Sequence, residues 1–180
     1  MATADKPESQ EICFVPDDNY AGFVERNTQA RPAPGAIIDR SGARIGEHEG
    51  VHRFTVGQRK GLGVGSPVPL YVLGIDAATR EVTVGPEEAL LASRARVRDV
   101  NWLSIAPPAG PIRATAKIRY RAKDAAVTIT PDASGHGVTL DFDEEQRAIT
   151  PGQAAVFYEG EVCLGGGWIE SGAPTPARAH

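Results

Sequence analysis

Cysteine is nearly absent from this sequence. Cys13 and Cys163 stand far apart in 180 residues, which excludes the disulfide framework of a small secreted domain. No apolar run approaches the roughly 20 residues of a membrane-crossing helix. The opening Met-Ala-Thr-Ala-Asp-Lys-Pro is polar where a signal peptide would be basic and then apolar. The expectation is a soluble, cytoplasmic protein with no membrane partner. Histidine is scarce as well. His48 lies between Glu47 and Glu49 with only His52 at ligand spacing and no cysteine nearby, so it reads as part of a solvated loop, and no metal is expected. Nucleotide signatures are missing too. The stretch Gly57-Gln58-Arg59-Lys60-Gly61-Leu62-Gly63-Val64-Gly65 lacks the G-x-x-x-x-G-K-[S/T] spacing of a phosphate loop, and no dinucleotide-type G-x-G-x-x-G occurs.

What the chain has instead is punctuation. Its 20 Gly and 14 Pro divide it into short β-prone runs. Asp17 to Asn27 is the best helix candidate, with Asp17 or Asp18 as cap and Tyr20, Phe23 and Val24 on one stripe. Pro32 and Pro34 then break the chain. Ala36–Asp39 and Ala43–Gly46 flank a turn at Arg40-Ser41-Gly42, Leu70–Ile75 and Glu81–Val84 form a second hairpin, and Val51 to Val56 alternates like a strand. A short helical turn is expected after Gly85-Pro86. From Ala95 to Trp102, and again at residues 127–130, 137–142, 154–158 and 162–164, further short strands recur at the spacing of a small barrel, with Cys163 in its core. The fold class implied is mainly β: a short N-terminal strand-helix segment over 1–31, a small β-rich central roll over 32–92, a C-terminal β-barrel over 93–170 and a disordered tail over 171–180.

The net charge of −4 conceals an asymmetry. Between Arg94 and Lys123 eight basic residues face one acid, Asp99, whereas between Asp141 and Glu170 seven acids face Arg147 alone. Within the basic block Arg113, Thr115, Lys117, Arg119 and Arg121 alternate with Ala114, Ala116, Ile118 and Tyr120. One strand over these residues would bury the small and apolar set and display four cations in a row. Such a stripe is a footprint for a phosphate backbone. The competing account is a solvated barrel face with acidic cross-strand partners, and the lack of an acid before Asp124 favours the polyanion. Arg59 and Lys60 stay open between an RNA-contacting loop and solvated turn charges.

Cys13 lies in Ile12-Cys13-Phe14-Val15, just before Pro16-Asp17-Asp18 and the helix start. Amide dipoles at a helix N-terminus can favour a thiolate, while a lone cysteine in an apolar run also serves as a small buried hydrophobe. Both readings stand on local sequence.

In order along the chain come Ser9-Gln10-Glu11-Ile12-Cys13-Phe14, Gly46-Glu47-His48-Glu49-Gly50, Thr55-Val56-Gly57-Gln58-Arg59-Lys60-Gly61-Leu62-Gly63, Lys117-Ile118-Arg119-Tyr120-Arg121, Thr150-Pro151-Gly152-Gln153-Ala154-Ala155-Val156-Phe157-Tyr158 and Leu164-Gly165-Gly166-Gly167. Together they resemble the carboxy-terminal half of the bacterial tRNA-specific 2-thiouridylase family (the MnmA/TrmU group), over about residues 3–170. The resemblance implies a sulfurtransferase that uses ATP to adenylate O2 of the wobble uridine of glutamate, glutamine or lysine tRNA, then delivers sulfur from a cysteine persulfide. Cys13 matches the persulfide carrier, supplied by a cysteine desulfurase or a sulfur-relay protein. Arg119, Tyr120 and Gln153 match tRNA-touching positions, with Lys117, Arg121, Arg59 and Lys60 as further candidates. The family's barrel is of the translation-factor kind. Its ATP-pyrophosphatase domain has no counterpart here, nor has the second catalytic cysteine that pairs with the first as a disulfide. The expectation is therefore a fragment that binds tRNA but is inactive alone. A non-catalytic RNA-binding barrel with a buried Cys13 is the alternative.

Overall fold

The computed structural model describes residues 20–27, 32–119, 123–133 and 135–173. Glycine and proline punctuation yields strands rather than helices. Helix α1 (Tyr20–Asn27) is followed by β1 (Gly35–Ile38) and β2 (Arg44–His48), then β3 (Tyr71–Asp76) and β4 (Glu81–Gly85). These strands form one sheet in the order β2-β1-β4-β3, with β1 and β4 parallel and the other neighbours antiparallel. Ile37, Leu62, Val72, Val82 and Val84 make its core. A 3-10 turn at Glu87–Leu90 leads without a linker into β5 (Leu91–Trp102).

Five more strands complete a closed barrel: β6 (Ile112–Lys117), β7 (Ala125–Pro131), β8 (Val138–Arg147), β9 (Ala154–Glu159) and β10 (Val162–Ala173), in the order β10-β5-β8-β7-β6-β9. Strand alternation sends Val97, Ala116, Val127, Ile129, Leu140, Ala155, Phe157 and Ile169 inward. Each fully buried Ile, Leu or Phe contributes about 2 kcal/mol against exposure. The two sheets dock through Tyr71, Leu90 and Ala148, and Arg147 reaches back over the Tyr71 ring at 5.4 Å.

The structure departs from the sequence reading at several points. Val51–Arg53 is a 3-10 turn, not a strand. His52 Nε2 and Arg53 Nη2 both meet Glu25 Oε1, at 3.0 and 2.8 Å. Consecutive residues of a strand point to opposite faces and could not share one carboxylate oxygen. His48 is buried rather than solvated, its Nε2 3.1 Å from the Arg80 carbonyl oxygen and its ring 5.1 Å from Phe54. The cause lies opposite it on β1, where Gly35 has no side chain to fill the space the imidazole takes. Cys163 is half-buried rather than in the core, because Val162 and Leu164 split between solvent and interior across it. Strand β10 continues to Ala173, pairing Ser171 with Arg96 and Ala173 with Arg94, so it enters the segment expected as a tail.

Barrel closure depends on Gly165-Gly166-Gly167. A Cβ at Gly166 would lie 2.6 Å from the Ala155 carbonyl oxygen, and one at Gly167 would lie 2.5 Å from that of Arg98. At Gly165 it would overlap the Asn101 carbonyl, and Gly165 also holds a φ of 156°. All three obstacles are backbone, which cannot swing away. Gly165→Ala is expected to cost about 3 kcal/mol, read as a lower urea midpoint with an unchanged denaturant slope.

Candidate nucleic-acid interface

Lys117 ends β6 and pairs with Val156 of β9, so the two share the outer face of the barrel. Ile118 then turns inward, at 1% exposure, and Arg119 returns to the outside beyond the strand's end. The expected strand of alternating cations thus stops at Lys117. Thr150-Pro151-Gly152-Gln153 makes a turn closed by the Gln153 N–H donating to the Thr150 carbonyl at 3.3 Å. Gly152 at φ 83° after Pro151 is the residue pair that a type II turn requires. The Gln153 carbonyl accepts from the Ile169 N–H, and the Gly152 N–H donates to the Ile169 carbonyl, each at 2.8 Å. Gln153 is thereby pinned beside Trp168 of β10, whose strand neighbour across the sheet is Ala154.

These elements enclose one groove of about 850 Å³. Lys117, Arg119 and Gln153 line it together with Val156, Tyr158 and Trp168. Three of the residues singled out in the sequence therefore meet at one place. Arg59 and Lys60 do not join them. They sit exposed on a loop of the first sheet, where Gln58 accepts from the Thr55 N–H at 2.9 Å and donates to the Lys60 carbonyl at 2.9 Å. Cys13, Tyr120 and Arg121 lie outside the described residues, as do the helix-cap candidates Asp17 and Asp18.

The linear charge asymmetry largely cancels on folding. Arg94 pairs with Asp141 at 2.6 Å, Arg96 with Glu170 at 2.8 Å and Asp132 at 3.4 Å, Arg98 with Asp99, and Arg113 with both oxygens of Asp143 at 2.8 and 2.5 Å. Three acids of the second block, Asp141, Asp143 and Glu170, meet arginines of the first, because β8 and β10 flank β5, and β8 lies one strand beyond β7 from β6. For these four arginines the ion-paired account of the barrel face is the correct one. Lys117 and Arg119 have no ion pair among the described residues. Arg113 holds the Asp143 carboxyl below its usual range through their hydrogen bonds, so this pair stays ionised at neutral pH.

Trp168, Val156 and Tyr158 were not singled out from the sequence as site residues. Parity was the available signal: Ile169 faces the core, so Trp168 next to it must face out, an aromatic on the wet side of a strand. Among the described residues no cluster of three or more His, Cys, Asp or Glu could hold a metal ion, and no helix is long and apolar enough to cross a membrane.

Comparison with known proteins matches both units. A family model described as the tRNA methyl transferase PRC-barrel domain matches residues 21–86, and one described as the aminomethyltransferase beta-barrel domain matches residues 92–169. The tRNA-specific 2-thiouridylase MnmA of Geotalea uraniireducens is 47% identical over 175 residues, covering 97% of this chain and 46% of the relative. That of Magnetococcus marinus is 48% identical over 164 residues, covering 91% and 46%. The chain belongs to the tRNA-specific 2-thiouridylase family. It spans about half the length of the curated relatives it matches. In this member of the 2-thiouridylase family, an ion-pair cluster joins α1 to the 3-10 turn after β2.

Glu25 on α1 meets His52 and Arg53, and Arg53 also reaches Glu49 at 3.0 Å. The hydrogen bond from His52, followed by that from Arg53, lowers the Glu25 carboxyl below its ordinary 4.5. A carboxylate depressed in the folded state stabilises it above that ordinary value, and the contribution disappears as pH falls through the lowered folded value. Below pH 4.5, then, the contribution of this ion-pair cluster to holding α1 weakens as Glu25 takes up a proton. Protection factors of the Phe23–Asn27 amides, corrected for intrinsic exchange at each pH, should fall there in the wild type, whereas in Glu25→Gln they should already be reduced at neutral pH.

Proposed function

We propose that this chain is the tRNA-gripping and sulfur-carrying part of a tRNA uridine 2-sulfurtransferase, and that the groove between β6, β9 and β10 is part of its tRNA contact. The observation that carries this reading is the convergence of Lys117, Arg119 and Gln153 on one concave surface from two separate stretches of sequence. Two cations without ion pairs among the described residues suit phosphate oxygens, and an amide held by a pinned turn suits a sugar or base edge. The relatives' printed name, tRNA-specific 2-thiouridylase, agrees with such a ligand.

In the chemistry we assign, ATP first activates O2 of the wobble uridine as an adenylate. The terminal sulfur of a persulfide on Cys13 then attacks C2, and AMP departs with the oxygen. A second cysteine thiolate, from the half of the relatives that this chain does not span, attacks Cys13 Sγ, breaks the S–S bond, forms a disulfide with Cys13 and leaves the sulfur on C2. The ATP step belongs to the half of the relatives that this chain does not span. A cysteine desulfurase or relay protein loads Cys13, and glutamate, glutamine and lysine tRNAs are the substrates. Tyr120 and Arg121, next to Arg119 in the sequence, are further tRNA-binding residues in this reading, while Arg59 and Lys60 form a second contact on the first sheet.

The test is a titration of the chain with unmodified glutamate tRNA at several salt concentrations, against an unrelated RNA hairpin. Lys117→Ala and Arg119→Ala should each weaken binding and reduce the slope of log Kobs against log[salt] by about 1. Arg113→Ala should change neither, because Asp143 already neutralises that guanidinium. Equal losses from all three variants, or no preference for tRNA over the hairpin, would overturn the assignment of this groove.

A further inference from the structure

Trp168 is out of place for an indole that serves only the fold. The chain's other tryptophan, Trp102, packs on Phe157 of the core at 5.8 Å between ring centroids. Trp168 instead stands 49% exposed on the outer face of β10. Its surroundings cover only half of it: Ala154 is its partner on β9 and Arg98 its partner on β5, and Gly166 and Gly167 precede it on its own strand. Lys117, Arg119 and Gln153 line the same groove.

These features select among occupants. A double-stranded stem offers phosphates to Lys117 and Arg119 but keeps its base faces stacked, so it has nothing to lay on an indole. An apolar protein segment would cover Trp168 but would bury two cations without counter-charges. An unpaired nucleotide satisfies the whole set, because its base has a free π-face, its phosphates are anionic and its base edge can pair with an amide. We propose that Trp168 is a stacking platform for an unpaired base of the RNA substrate, flanked by Lys117 and Arg119 on the adjoining phosphates. This rests on the tRNA reading of the groove and narrows it to single-stranded nucleotides.

The experiment follows tryptophan emission of the full chain while it is titrated with a stem-loop RNA or with a blunt duplex RNA of the same charge. The stem-loop should quench emission to saturation, the duplex should not, and Trp168→Phe should abolish the quench. Trp168→Ala should weaken stem-loop binding by about tenfold to a hundredfold with an unchanged salt slope, and should leave duplex binding unaltered. Wild-type affinity in Trp168→Ala, or equal quenching by the duplex, would overturn the proposal. If Lys117→Ala and Arg119→Ala lose RNA while Trp168→Ala does not, the stacking role falls and the tRNA reading stands. If the wild-type chain binds no RNA, both fall. Should the alanine variant fail to fold, the quench lost in Trp168→Phe decides alone.

Discussion

Closure of the six-stranded barrel is the constraint on which the rest of this structure depends. Strand β10 must lie against β5 on one side and β9 on the other, and three consecutive glycines let its backbone approach both. The groove is a product of that closure. Its walls come from β6, β9, β10 and the turn before β9, and the turn is itself held by two hydrogen bonds to Ile169 of the closing strand. No single hairpin of the barrel contains Lys117, Gln153 and Trp168 together. The same closure fixes side-chain parity around the ring, which places Phe157 and Ile169 inside and Trp168 and Val156 outside.

Electrostatics are organised by the same pairing. A basic block and an acidic block that look segregated along the chain become neighbours once β5 lies between β8 and β10. Exposed pairs of this kind contribute only about 0–1 kcal/mol each. Their larger effect is to withdraw Arg94, Arg96, Arg98 and Arg113 from the field seen by an approaching anion. With a net charge of −4 the chain has little long-range attraction for a polyanion, so Lys117 and Arg119, which have no ion pair among the described residues, could act on an anion only locally.

Much of this architecture could be read from residue order. Turn residues and alternating runs located the two hairpins of the first sheet and the strands of the barrel, because glycine, proline and parity act locally. What escaped was whatever depends on a partner distant in sequence. His48 looked solvated between two glutamates, and only the bare Gly35 across the sheet explains its burial. Val51–Val56 alternated like a strand, but Glu25 on α1 draws His52 and Arg53 to one side. Arg113 looked like the start of a phosphate stripe until Asp143 met it from β8. At the candidate groove, Lys117, Arg119 and Gln153 had been singled out from motif and pattern, whereas Trp168 had not, because its outward parity follows only from the pairing of β10 with β9 and β5.

One arginine at the end of the barrel's β8 ties the two units together. Arg147 donates to Glu87 at 3.1 Å and lies over the Tyr71 ring, while the Tyr71 hydroxyl donates to the same Glu87 at 3.3 Å. Beside it, the Ala148 N–H donates to the Leu90 carbonyl at 2.8 Å, and the 3-10 turn at Glu87–Leu90 runs straight into β5. Charge, an aromatic face and covalent continuity therefore act at one junction, with no linker between the sheets to swing. The loop carrying Arg59 and Lys60 is bonded to the same place, since Gly57 and Gln58 exchange backbone hydrogen bonds with Val72, the neighbour of Tyr71. A ligand long enough to touch both this loop and the barrel groove would meet surfaces whose mutual ordering was completed when the chain folded. The conformational entropy that binding would otherwise lose is correspondingly smaller, and shape as well as charge can then discriminate between ligands.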